Sequence, residues 1–449
     1  MYPYPDRDIP HGSHAPPIAG SVSPLTRIAR LARKAWSTPS LRVTAFFAAA
    51  GVGFAGGNLL LARVLPHEAY ALVALVVAIE QLGVPLGPLG LEVATARYGL
   101  SGSTWLLRRT LLNGLLMAVV VSAIGVLGYE LPPLVVGLVA LATVAGSANT
   151  VAGAVYQGRQ EFGRSVALVQ SHNHVLLLAG LVSVARADGS ALPPIAIITA
   201  GYVLSALVGW TLLLRGRDAA AVAEGRRAPT IAAEAGRAGG AELGWRSTLT
   251  LAGVRMSDVT LYQAERLTIP QVLPLASLAT FGVLGALVGS PLRMLEMAVS
   301  HTVMPRLRAA ATVRERRHIV RRELAVALVV VSLAAVAAWI ITPPAVHYLL
   351  ADRYVLPPVL VAAAIAAGVA KVLSAFAVSS LMGTGDAADL ARFNALGWVS
   401  VLATAGLAAL GGVTGGLAGL VFGVAGGWLL RAASAALMAR RWFHLPASE

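Results

Sequence analysis

Long apolar runs constrain this chain more than any other feature. A bilayer span needs about 20 mostly apolar residues. Twelve runs of that kind can be marked: 43–62, 70–91, 110–128, 134–155, 166–184, 194–214, 248–269, 276–302, 324–342, 358–382, 393–411 and 416–438. Lipid offers no hydrogen-bond partner to a backbone amide, so runs of this length must be helices that satisfy their own backbone. The composition agrees. Charged residues make up 12% of the chain and hydrophobic ones 57%, with a mean hydropathy of +0.73, whereas a soluble domain is about 25% charged. The expected fold is an all-α polytopic membrane protein with twelve transmembrane helices in two six-helix halves.

Charge placement tests that count. With the N-terminus inside, only Arg63, Arg186, Arg266 and Arg353 fall in outer segments, and Arg255, Arg293, Lys371 and Arg431 fall within spans. The rest of the 35 basic residues lie on the inner side, as the positive-inside rule requires. The net charge of +14 therefore belongs to membrane topology and gives no reason to expect a nucleic-acid partner. The absence of cysteine excludes disulfides, thiolate metal sites and cysteine nucleophiles. No phosphate loop, HExxH or Gly-x-Ser-x-Gly context is present, and the short outer loops leave no room for an outer catalytic domain. Neither an enzyme nor a cofactor is expected.

The domain plan follows from the loops. Residues 1–42 form a cytoplasmic tail. It is rich in Pro, His and Gly at first, then carries Leu25, Ile28, Leu31 and Trp36 between Arg27, Arg30, Arg33 and Lys34. That second part reads as a basic amphipathic helix on the membrane surface or as a plain basic flank. An N-terminal six-helix half spans 43–214, a cytoplasmic linker 215–247, a C-terminal half 248–440 and a cytoplasmic C-terminus 441–449. Val-Leu-Pro follows the first span of each half, at Val64 and at Val272. Leu-Pro-Pro precedes the fourth, sixth and tenth spans, at Leu131, Leu192 and Leu356. Proline in a first helical turn sacrifices no needed N–H. Parallel halves of this kind place a transport site between them.

The charges inside the spans carry most of the functional information. Each costs roughly 2.5–3.5 kcal/mol to insert, so each is a functional-site hypothesis. Lys371, one of two lysines in the chain, has no acid on its own helix and shares a face with Ala364, Ala367, Gly368 and Ser374. It either meets an anionic ligand or pairs with an acid from another helix. Arg255, Asp258, Tyr262 and Arg266 form one stripe on the seventh span, and Arg293 and Glu296 repeat the three-residue spacing on the eighth. They read as a cationic site tuned by carboxylates, or as two i, i+3 ion pairs. Glu80 precedes Gly83, Pro85, Gly87 and Pro88. A kinked helix with a buried acid suits a protonatable moving element or a permanent ion pair. His172 and His174 are two apart, so on a helix they point to nearly opposite sides and would not chelate one metal. Arg431, near the inner end of its span, is expected to snorkel.

Four stretches carry a family resemblance. They are Gly53 through Arg63-Val-Leu-Pro to Tyr70, and Leu89-Gly-Leu-Glu92 to Arg97-Tyr98. The other two are Ser290-Pro-Leu-Arg293 to Val303-Met-Pro305-Arg306, and Lys371 through Ser379-Ser-Leu-Met-Gly383-Thr-Gly385. In order and spacing the chain from 43 to 440 resembles the polysaccharide (lipid-linked oligosaccharide) flippase family of the multidrug/oligosaccharidyl-lipid/polysaccharide exporter superfamily. The resemblance implies a V-shaped twelve-helix exporter in the bacterial inner membrane. It would translocate undecaprenyl-diphosphate-linked oligosaccharides by alternating access, with other polysaccharide-assembly proteins as partners. Arg255, Arg293 and Lys371 would bind the anionic headgroup, with Arg97 at the inner mouth. Glu80, Asp258 and Glu296 would couple to H⁺ or Na⁺, and in this sequence they offset much of the cavity's positive charge. The similar lipid II flippases have fourteen helices, two more than are marked here.

Rival functions have distinct signatures. A drug or metabolite antiporter of the same superfamily would favour an acidic or aromatic cavity. A major facilitator would carry a Gly-x-x-x-Asp-Arg-x-Gly-Arg-type loop after span 2, where this chain reads Gly99 to Arg109 without it. A scaffold of a glycan-assembly complex would gain little from six buried charges.

Overall fold

The computed structural model describes residues 39–98, 100–159, 161–186, 188–224, 245–310, 312–385 and 387–444, without the side chains of 39–48, 97–98, 216–224, 245–252, 254–255, 301–302, 305, 308–309, 387 and 442–444. The chain divides into two compact units, Met1–Arg42 and Val43–Glu449. In the first, the expected disordered and amphipathic stretches lie outside the described residues, apart from the backbone of 39–42.

The described residues of the second unit are helices joined by short turns, and its rods follow the apolar runs. They are α1 (Pro39–Val64), α2 (His67–Leu86, continued by Leu91–Tyr98), α3 (Thr104–Ala123), α4 (Pro133–Gly158), α5 (Phe162–Val169 with Ser171–Arg186) and α6 (Leu192–Glu224). The rest are α7 (Trp245–Val272), α8 (Ala276–Leu284 with Ser290–Ala309), α9 (Val313–Leu350), α10 (Pro358–Thr384), and α11 and α12, the two arms of Ala387–His444. Gly416, at φ 60°, breaks that last helix, in a conformation glycine adopts without steric cost. Eight described segments are long and apolar enough to cross a membrane alone, and the bent α5 pair makes a ninth.

Helix ends follow their local chemistry. Pro133 and Pro358 open α4 and α10, so the Leu-Pro-Pro triplets act as starts. Thr312 Oγ1 accepts the Glu315 amide at 3.1 Å and Ser103 Oγ the Leu106 amide at 3.2 Å, capping α9 and α3. After Pro85 the second span stops at Leu86, turns through Leu89 and Gly90 with positive φ, and resumes at Leu91. Two spans contain π-helical turns, Ile124–Gly128 at the end of α3 and Gly285–Gly289 within α8. The helices also overrun the expected spans. The α6 helix continues to Glu224 and α9 starts at Val313, so part of the expected linker is helix; residues 225–244 lie outside the described set.

Burial separates lipid-facing from bundle-facing sides. Leu112, Leu115, Leu116 and Val119 of α3, and Val329, Leu333, Val336 and Ile340 of α9, are exposed at helical spacing. Such stripes suit hydrocarbon and not water. The opposite faces are small. A Cβ on Gly57 would stand 2.6 Å from the Leu176 carbonyl carbon, and one on Gly423 would stand 2.2 Å from the Leu407 carbonyl oxygen. Close backbone approach of this kind is how helices associate where no hydrophobic effect drives them together. Buried hydroxyls bond back along their own helices, as Thr143 does to the Val139 carbonyl at 2.8 Å and Thr404 to the Ser400 carbonyl at 2.6 Å, so they need no partner in lipid.

The bundle end that holds the α1–α2, α3–α4, α7–α8 and α9–α10 connections, here the distal end, is tied across the chain. Arg353 donates to the Arg63 carbonyl and, at 3.2 Å, to the Leu65 carbonyl. The Tyr354 hydroxyl donates to the Ala62 carbonyl at 3.2 Å. Burial pushes that phenol up to about 12, with Arg353 pulling the other way, so it stays protonated as a donor. Tyr129 donates to the Leu267 carbonyl and Gln271 to the Gly128 carbonyl, both at 2.7 Å.

Candidate functional site

The small face of α10 positions the centre of the bundle. Ala364, Ala367, Gly368 and Lys371 follow one another at i, i+3, i+4 and i+7 and line a cavity of about 70 Å³ against α7 and α8. The π-helical turn supplies Gly285 and Gly289 to the wall. A Cβ on Gly289 would meet nothing within 4 Å, so these glycines leave space open. That volume holds several waters, at roughly 10–15 Å³ each.

Charged groups from three helices converge here. Lys371 Nζ donates to Glu265 Oε1 at 2.7 Å, with side chains 17% and 10% exposed. Arg293 and Lys371 each stand 5.4 Å from the centroid of the Tyr262 ring. Lys371 also lies 5.9 Å from the ring of Trp428, which meets Tyr262 edge-on at 5.0 Å. Desolvated cation–π contacts of this kind are worth about 2 kcal/mol, so the aromatic pair holds both cations in place. Arg266 enters from α7, donating to Gln81 Oε1 at 3.1 Å and lying 5.7 Å from the Phe54 ring. Helices α1 and α2 therefore reach the same cavity. Glu296 lines it too, and its Oε2 is buried without a hydrogen-bond partner among the described residues. The cavity thus presents Arg266, Arg293 and Lys371 against Glu265 and Glu296. It can hold an anion among the three cations, and it has a carboxylate oxygen available to a proton or small cation.

The site residues read from sequence are distributed unevenly. Arg293, Lys371 and Glu296 come together in the cavity. Asp258 does not line it; it pairs with Arg431 of α12. Glu80 lies deep in the first six helices at 1% exposure, with Oε1 unpartnered among the described residues. The side chains of Arg255 and Arg97 lie outside the described set. His172 stacks on Tyr202 at 5.8 Å, whereas His174 is exposed.

Two expectations change. Arg431 does not snorkel: it is 1% exposed and lies 4.9 Å from the Phe393 ring, because Asp258 offers it a partner inside the bundle. Arg266 is not an outer-loop residue. Helix α7 runs through Pro270 to Val272, which keeps Arg266 a turn within the helix. Its place in the stripe with Asp258 and Tyr262 was the signal for it. Glu265 gave no comparable signal, since its partner lies 106 residues away.

No family model matches this chain, and no curated protein sequence matches it. Solved structures do. One is the inward-facing conformation of a multidrug resistance MATE family transporter of the MOP superfamily, with a TM-score of 0.52 and 12% identity over 88% of this chain and 94% of that one. Another is the lipid II flippase MurJ in an inward closed conformation, with a TM-score of 0.61 and 10% identity over 89% of this chain and 87% of that one. At such identities the likeness is one of fold alone: this chain shares the fold of that MATE family transporter and of MurJ.

Proposed function

We propose that the protein is a flippase that moves an undecaprenyl-diphosphate-linked oligosaccharide from the cytoplasmic to the outer leaflet of the bacterial inner membrane, without covalent chemistry. The observation that carries this reading is the convergence of Arg266, Arg293 and Lys371 on one central cavity. Buried basic side chains suit a diphosphate, which accepts charge-assisted hydrogen bonds from each. The fold shared with a lipid II flippase supports it. A diphosphate carrying a sugar exceeds 70 Å³, so loading requires α8 and α10 to separate. The arginine-rich end opposite the distal ties would face the cytoplasm. Arg255 and Arg97 would extend the cationic path. Of the acids proposed for ion coupling, Glu296 is best placed, since it shares the cavity; Glu80 and Asp258 would act from outside it. Other polysaccharide-assembly proteins would receive the product.

Arg293→Ala and Lys371→Ala are each expected to abolish surface glycan per molecule present in the membrane, while Arg164→Ala at an exposed pair leaves it intact. Normal glycan export in both cavity variants would sink the assignment. A cation-coupled drug antiporter is the second reading, favoured by the cavity's Phe54, Tyr262 and Phe281. Resistance to cationic drugs that depends on Glu296, with glycan export unaffected by it, would select that reading.

A further inference from the structure

A second opening lies behind α10, on the side away from Lys371. It is a slot of about 770 Å³ between α9, α10 and α12, within the ~300–1,000 Å³ of small-molecule sites. Between Leu429 and Arg440 the α12 wall is built from Ala432, Ala433, Ala436 and Ala439, so only methyl groups face the middle of the slot. Helix α9 itself stands clear along much of its length, with Val326, Leu328, Val329 and Val330 exposed.

One end of the slot is basic. Arg317 and Arg321, one turn apart on α9, face Arg440 of α12 across it. Two acids of α9 flank these arginines: Glu323 is held by Arg306 of α8, and Glu315 lies in the first turn of the helix, beside the Thr312 cap. Away from the arginines the lining is apolar, through Leu324, Leu373 and Phe376. Those three residues also border a narrower crevice that carries the slot on to Val331 and Val369. From Arg321 to Val331 the helix rises about 15 Å, half of the ~30 Å hydrocarbon core. The groove is therefore one leaflet deep, with its positive charge at the headgroup level.

We infer that this slot is a binding site for one anionic phospholipid, its phosphate on Arg317, Arg321 and Arg440 and an acyl chain lying along α9 and α10. Basic pockets between spans at the membrane surface recognise anionic headgroups through the same chemistry, and the depth of the slot matches a lipid of that leaflet alone. The site shares no residue with the central cavity and does not depend on what that cavity carries.

Native mass spectrometry of the full-length protein in detergent, titrated with dioleoyl phosphatidylglycerol or dioleoyl phosphatidylcholine, tests it. The wild type should retain one phosphatidylglycerol with an affinity on the order of tenfold above phosphatidylcholine. The triple variant Arg317→Gln, Arg321→Gln, Arg440→Gln should bring the two lipids level. Ala436→Trp, which fills the slot and leaves the arginines, should lower retention of both. Arg314→Gln, Arg322→Gln, Arg392→Gln removes as many exposed charges elsewhere and should change nothing. Equal loss in that control set, or undiminished phosphatidylglycerol retention in the lining triple, overturns the site. Retention of undecaprenyl phosphate in place of phosphatidylglycerol overturns the choice of lipid.

Discussion

Lys371 takes one of the two readings its sequence context left open, pairing with an acid from another helix, and it does so while lining a cavity. The pair with Glu265 at 2.7 Å offsets the cost of an ammonium at that depth, and the Tyr262 and Trp428 rings guide its approach. Removing one partner of a buried pair costs about 3–5 kcal/mol because the other charge is stranded. Glu265→Gln should therefore lower the thermal midpoint in detergent, and Lys371→Met with Glu265→Gln should recover most of it. If the double variant is no more stable than the single, the two groups do not interact. The double variant should still fail to export glycan, which separates the structural role of Lys371 from the functional one. Asp258 and Arg431 form a second such pair, so Arg431→Met should destabilise and Asp258→Asn should partly rescue it.

At the scale of the element, helix positions were written in the sequence by apolar length and by Leu-Pro-Pro, while helix partners were not. Period and capping are local, and a bilayer removes the alternatives to a helix. What Lys371, Arg266 and Arg431 meet depends on which helices adjoin, and no spacing encodes that. Glycines show the same division. Gly289 and Gly423 look alike in sequence, yet a Cβ on the first meets nothing and one on the second would stand 2.2 Å from a backbone oxygen. Gly423→Leu should cost about 1–3 kcal/mol by overpacking, whereas Gly289→Ala should be neutral or stabilising by up to about 1 kcal/mol. Paired denaturation curves check the contrast. Thr312→Ala should cost about 1 kcal/mol, read as faster proteolysis at the start of α9.

For the whole molecule, the proposed alternating access would require the distal ties to part. The chain has no cysteine, so a pair introduced at Gly128 and Gln271, whose groups now touch, can be bridged by a bifunctional thiol reagent without background. Bridging is expected to stop transport, and each single-cysteine variant should keep it after the same treatment. Transport that survives the bridge would show that this end stays shut throughout the cycle.

The Arg353 tie differs from a salt bridge in what it asks of its counterpart. It grips the carbonyls of Arg63 and Leu65, groups that every amino acid possesses. The fastening therefore asks nothing of the side chains at 63 and 65, where only packing in the core constrains Leu65, but it does require the arginine at 353. Two segments nearly three hundred residues apart are joined by a contact that only one of them records in its genetic text. Selection acting on this clasp would leave its mark on a single codon.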